Sequence, residues 1–296
     1  MNTQKIWLDT DIGSDIDDAL ALALLLSRPD CEILGISTVT EVDAARAKLA
    51  SVLCRVAQKE VPIFPGTRHS FLVSAPQKEV QQRGALDKWP HDSDFPAPAF
   101  AAIEAARAAI RSNPGEVTLL GIGPMTNIAL LFAVDPEIPA LLKQLVVMCG
   151  TFATLSSQNG REWNALNDPH ATAMLYDAPV VRHISIGLDV TERVILERAD
   201  FEQRLSQSIF GPPITDMAAS WFRHAPRVTF HDPLAAAVIF EPDLCVYQSG
   251  QVEVETCSEM LRGHTRWHAR EDGPHQIALE VDAEKFYQSY FGALLK

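Results

Sequence analysis

The chain has 296 residues, of which 47% are hydrophobic and 21% charged, and its formal net charge is −13. So acidic a balance, with no local cluster of Lys or Arg to offset it, repels phosphate backbones and anionic lipid and excludes polymeric nucleic acid and membrane surfaces as partners. No stretch approaches the roughly 20 apolar residues of a membrane span, and the first residues lack a signal or transit pattern, so a cytoplasmic protein is expected.

Apolar runs alternate with longer helical patterns along the chain. Strand-like KIWLD (5–9) precedes the helical DALALALLLS (18–27), and EILGISTVT (32–40) precedes DAARAKLASVLCRVAQ (43–58). Residues 61–98, with VPIFPG and WPHDSDFPAP, carry enough Pro, Gly and polar residues to predict loop. Alternation resumes with AFAAIEAARAAIRS (99–112), VTLLGIG (117–123), TNIALLFAV (126–134), QLVVMCG (144–150), DPHATAMLYD (168–177) and VVRHISIGLDV (180–190). Residues 200–230 read as helix, and EVDAEKFYQSYFGALL as a closing amphipathic helix. Strand and helix taking turns imply crossover units, hence an α/β fold with an open, mainly parallel sheet and helices on both faces. No repeat or long linker divides the chain, so residues 1–296 are expected to form a single domain. The five cysteines, at 31, 54, 149, 245 and 257, are widely spaced and mostly in apolar runs, which predicts free thiols.

One segment stands apart. Residues 9–18 read DTDIGSDIDD, five Asp in ten positions, between the first strand and the first helix. That position is the carboxyl edge of an open α/β sheet, where ligands bind. Helix capping accounts for Asp17 or Asp18 but not for five carboxylates, which raise one another's pKa unless a cation balances them. An oxygen-rich site of this kind suits Ca²⁺ or Mg²⁺. An EF-hand is ruled out, because no register supplies both the Gly at loop position six and the Glu at twelve. A strand ending Asp-x-Asp also resembles the haloacid-dehalogenase-type Mg²⁺ phosphohydrolases, although no downstream Lys and second acidic pair accompany it.

A further resemblance spans nearly the whole chain. DTDIGSDIDDALAL is similar to the DxDxGxDDAxA signature of the inosine–uridine-preferring nucleoside hydrolases, and four more segments follow in that family's order. They are GIGPMTNIAL (121–130), VVMCG (146–150), EWNALNDPHA (162–171) and FHDPLAAA (230–237). The resemblance implies a Ca²⁺-dependent enzyme that cleaves the N-glycosidic bond of ribonucleosides to ribose and free base, assembled as a homodimer or homotetramer. It implies Ca²⁺ ligands at Asp11, Asp18, Asp232 and the backbone carbonyl of Thr126, with Asp17, Met148, Glu162 and Asn164 against the ribose. Asp11 would be the general base and His231 would face the departing nucleobase. A non-catalytic ribosyl-binding relative that kept the cage is the other reading.

The chain also departs from the pattern. Its acidic loop is two residues longer than DxDxGxDD, and anchoring on DDALA makes Asp17 and Asp18 the counterparts of the final pair, with Asp15 an extra carboxylate. The Asn or Asp after the second strand is missing, with Glu41 or Asp43 as its candidate substitutes. The HGExGLGG loop is replaced by QQRGALDKWPHDSD, and an Asn before the Glu is here Ser156. Trp89, Trp221 and Phe222 are candidates to stack on a base.

Overall fold

The computed structural model describes residues 3–77, 79–96, 100–153 and 160–295. Eleven strands are formed among them: β1 Gln4–Thr10, β2 Cys31–Thr38, β3 Ile63–Pro65, β4 Val117–Gly121, β5 Gln144–Met148, β6 His183–Ile186, β7 Ile195–Glu197, β8 Arg227–Thr229, β9 Cys245–Val254, β10 Thr265–Ala269 and β11 His275–Val281. Nine of them make one sheet in the order β10-β9-β11-β6-β5-β4-β1-β2-β3, while β7 and β8 pair separately. The run from β3 through β1 and β6 to β11 is parallel, and β9 and β10 extend it antiparallel.

Side-chain alternation divides the core into a layer on each face of the sheet. Ile6, Leu8, Leu120 and Val146 point to one layer, and Trp7, Leu119, Leu145 and Val147 to the other. Both faces are covered by helices, as the continuously apolar strands require. The first helix, α1 (Asp17–Ser27), has no polar face beyond its first turn, and ten of its eleven residues are buried. It packs against the helices His231–Ala237 and Ala283–Leu294. Helices α2 (Ala45–Val56), α3 (Ala101–Ser112) and α4 (Thr126–Val134) lie close to their sequence-predicted bounds.

Three stretches differ from the sequence reading. Residues 61–98 are not wholly loop, since they hold β3 and a 3-10 turn at Gln81–Asp87. Residues 200–230 break into helices Arg198–Leu205 and Gly211–Trp221, the second opening on a Pro pair, followed by β8. The strand expected over 180–190 stops at Ile186, and a short helix begins at Leu188. All five cysteines are free, with Cys54, Cys149 and Cys245 buried.

Candidate active site

The parallel strands all end on one edge, so the segments that follow β1, β4, β5 and β6 converge there and enclose a cavity of about 260 Å³. The acidic loop forms its floor. Asp17 and Asp18 enter from the first turn of α1, and Asp232 from the first turn of the helix His231–Ala237 packed beside it. One carboxylate oxygen from each of these three buried residues lies within 4.8 Å of the others. Asp11, expected as a ligand, lies beside this group on the β1 side and lines the cavity, its backbone N–H donating to Asp18 Oδ1 at 3.1 Å, but its carboxylate is not one of the three. Asp18 also accepts the Thr10 hydroxyl, and Asp17 Oδ2 accepts the Asp232 N–H at 3.4 Å.

Burial, followed by mutual repulsion, pushes Asp17, Asp18 and Asp232 well above the usual carboxylate range. Asp15, which also lines the cavity, rises to about 7, chiefly through burial. The carboxyl of Asp11 is raised by burial as well, against the opposing pull of the Arg46 guanidinium and the Gln77 amide. Without a cation, protons must neutralise such a group. Oxygen ligands to one Ca²⁺, each 2.3–2.6 Å from it, stand at most about 5 Å apart, so the three-carboxylate arrangement fits such an ion.

The lengthened loop is held from beneath. Gly13 takes φ +114°, and a Cβ there would meet Val80 and Leu49 side chains at 2.6 and 2.7 Å, so only glycine permits this bend. Arg46 of α2, fully buried, donates to the carbonyls of Asp11 and Ile12 and to the hydroxyl of Ser14 through Nη1, and to the Thr40 carbonyl through Nε. A buried cation thus lies directly under the carboxylates. Gln82 adds a bond from its amide to the Asp15 carbonyl.

Glu162 and Asn164 line the opposite wall with Met148. The Glu162 carboxylate caps the short helix Trp163–Asn167, accepting the N–H groups of Asn164 and Ala165 at 2.6 and 2.9 Å, and it also accepts the Gly150 N–H at 3.2 Å. Burial nonetheless raises its pKa to about 7. The Asn164 amide nitrogen bridges the Ile122 and Met148 carbonyls at 3.1 and 3.0 Å, tying the ends of β4 and β5 together. Its carbonyl oxygen remains for a ligand. His231 lines the cavity with Nδ1 against the Thr191 hydroxyl at 2.7 Å, and burial lowers its pKa to about 4. It is therefore neutral near pH 7, and with Nδ1 held by Thr191 its Nε2 is the nitrogen left for a ligand. Trp163 and Trp221 supply aromatic walls.

Several sequence expectations are placed differently. Thr126 opens α4, its hydroxyl donates to Asp168 Oδ2 at 2.7 Å, and it does not line the cavity; Ile122, the first residue after β4, does. The chain has already turned into the helix by Thr126, which carries that carbonyl along α4. Asp17, expected against the sugar alone, sits within the three-carboxylate group. Glu41 is spent capping α2, accepting the Arg46 and Ala47 N–H groups, and Asp43 is exposed and paired with Arg83, so neither enters the cavity. Trp89 bonds Asp216 and Phe222 packs on Phe201, both away from the cavity lining. Ser156 lies outside the described residues. Arg46 and Gln77 were missed. Arg46 had a signal, since it shares the buried face of α2 with Leu49 and Leu53, where an unpaired cation has no place.

Comparison with known proteins gives the family and the fold. A family model described as inosine-uridine preferring nucleoside hydrolase matches residues 6–288. The non-specific ribonucleoside hydrolase RihC of Escherichia coli (strain K12 / DH10B) is 31% identical over 96% of this chain and 95% of its own. Uridine nucleosidase 1 of Arabidopsis thaliana is 28% identical over 99% of this chain and 94% of its own. Among solved structures, the purine-preferring ribonucleoside hydrolase from Gardnerella vaginalis superposes with a TM-score of 0.86 at 22% identity, covering 99% of this chain and 98% of that one.

Proposed function

Because the chain belongs to the inosine–uridine preferring nucleoside hydrolase family, it is a hydrolase of N-glycosyl bonds in nucleosides, and we propose that it acts with Ca²⁺ to release ribose and a free nucleobase. The observation that carries this reading is the group of three buried carboxylates within 4.8 Å, open to a nucleoside-sized cavity whose other wall carries hydroxyl-binding groups. Asp17, Asp18 and Asp232 would hold the ion with Asp11, and the carbonyl of Ile122, which lines the cavity, would serve in place of that of Thr126. A bound Ca²⁺ supplies charge that acidifies a water and orients the vicinal hydroxyls of the sugar.

The protein's own residues account for the remaining steps. Departure of the base leaves an oxocarbenium-like ribosyl cation, which a carboxylate-rich floor stabilises. Asp11 accepts the proton of the water that attacks C1′. Glu162, Asn164 and Asp17 accept hydrogen bonds from the ribose hydroxyls, and Met148 packs against the ring. The electrons of the broken bond pass to the nucleobase nitrogen, toward which neutral His231 donates a hydrogen bond from Nε2. The low pKa of His231 makes it a donor of a hydrogen bond more than of a proton. A binding protein that had lost turnover would not need a carboxylate such as Asp11 lining the cavity beside the cage.

Asp11→Asn tests the assignment. The carboxamide can still offer an oxygen to a cation but cannot take a proton, so kcat should fall by about 10²–10⁴-fold with a smaller change in KM. A kcat within a few-fold of wild type with only KM raised would make Asp11 a binding residue.

A further inference from the structure

Gln77 takes no part in the steps above, yet every hydrogen-bonding group of its side chain is engaged at the site. It lies in the segment between β3 and the Gln81–Asp87 turn, 9% exposed. Its Nε2 donates to Asp11 Oδ2 at 2.5 Å and to Thr40 Oγ1 at 3.1 Å, and its Oε1 accepts the Trp163 indole N–H at 2.7 Å. Its backbone N–H donates to Asn167 Oδ1 at 3.0 Å. Trp163 and Asn167 are four residues apart on one helix, so a single helical face grips Gln77 at both side chain and backbone.

The chemistry of the indole decides which way the amide points. An indole N–H can only donate, so it selects the oxygen end of Gln77 and turns the NH₂ end toward Asp11. The reversed amide would set its oxygen against a carboxylate and its NH₂ against another donor. Asp11 is thereby held in one orientation: Oδ2 is occupied by Gln77, and Oδ1 sits over Gly123, where a Cβ would stand 2.8 Å away. Trp163 is itself 39% exposed and lines the cavity.

We propose that Gln77 and Trp163 are a positioning pair for Asp11, in which the aromatic wall that meets the substrate fixes the amide that aims the base. The proposal rests on the reading of Asp11 as the general base. The Gln77 amide does not touch the reacting atoms; the pair acts by fixing the Asp11 carboxylate so that Oδ1 is the oxygen left to take the water's proton. Because a ligand filling the cavity packs on the same indole, cavity occupancy and base alignment share one side chain.

A double-mutant cycle on uridine hydrolysis by the Ca²⁺-loaded full chain tests this, using Gln77→Met, which keeps length and volume, and Trp163→Phe, which keeps one aromatic ring but removes the pyrrole half of the indole together with its N–H. Gln77→Met should lower kcat by about tenfold or more, the loss expected for one hydrogen bond to a charged group, with KM changed less than about threefold. Trp163→Phe should lower kcat by roughly three- to tenfold, and the double variant should be no worse than Gln77→Met alone, because both changes break one linkage. A residue that served only folding would shift the melting temperature without this split. Multiplying losses in the double variant, or single-variant kcat values equal to wild type, would overturn the pair. Asp11→Asn measured alongside separates the two failures: a damaging Asp11→Asn with a silent Gln77→Met removes only the pair, and a silent Asp11→Asn removes the base and the pair together.

Discussion

Replacing Asp18 with Asn should make the protein more stable without metal and less stable with it. Asp18 has carboxylate oxygens of Asp17 and Asp232 within 4.8 Å. At that separation and an effective dielectric constant of about 20, each ionised pair costs about 3–4 kcal/mol. Protonation limits the penalty: neutralising an ordinary Asp at about pH 7.5 costs about 5 kcal/mol, so a metal-free cluster sheds charge before it reaches the full sum. Asparagine keeps the oxygen that accepts the Thr10 hydroxyl and the Asp11 N–H, so those bonds survive the change. The net relief is about 3 kcal/mol, or roughly 5 °C in Tm for a chain of this size. In saturating Ca²⁺ the order reverses, because wild type gains about 4 kcal/mol at a thousandfold excess over Kd and a cage short of one carboxylate gains much less. Scanning calorimetry in chelator and in Ca²⁺ reads both halves. A variant that melts below wild type in chelator and gains as much as wild type from Ca²⁺ would refute the argument.

The same cluster sets a pH dependence. Asp17, Asp18 and Asp232 have folded pKa values well above their unfolded ones, and Glu162 and Asp9 sit at about 7, so the folded state binds protons that the unfolded state has released. Stability of the chelated protein should therefore fall as pH rises above the unfolded carboxylate pKa of about 4 and keep falling through about 7, and Ca²⁺ should remove the share of that slope due to Asp17, Asp18 and Asp232; a flat chelated profile would show the carboxylates are not crowded. His231→Ala should slow inosine or uridine far more than a nitrophenyl riboside, whose leaving group needs no hydrogen bond from Nε2. Equal losses on both would make His231 a support for Asp232.

Much of this was written in the sequence because the relevant patterns are local. The continuously apolar strands announced a sheet covered on both faces, and DTDIGSDIDD between a strand and a helix announced an acidic edge. The parallel strands bring Asp18 to that edge from β1, whereas Asp232, more than 200 residues further on, follows β8 outside the main sheet and arrives by the packing of its helix against α1. What stayed hidden depends on contacts made across the fold. No spacing shows that the Thr126 carbonyl has turned into α4 while Ile122 remains at the strand end. Glu41 looks like a sugar ligand until its carboxylate is seen capping α2. Gln77 lies in a Pro-rich stretch without periodicity, and its partners Asp11 and Trp163 come from two other segments. The half-exposed antiparallel strands β9 and β10 carry too mixed a burial pattern to stand out.

The central claim is tested most directly by following release of reducing sugar from a panel of purine and pyrimidine ribonucleosides and of ribonucleoside 5′-phosphates, with the protein in Ca²⁺ and after chelation. The account predicts ribose and free base from at least one nucleoside, turnover lost on chelation and restored by Ca²⁺ alone. Turnover undiminished by exhaustive chelation, or release of inorganic phosphate from the 5′-phosphates with no free base, would contradict it.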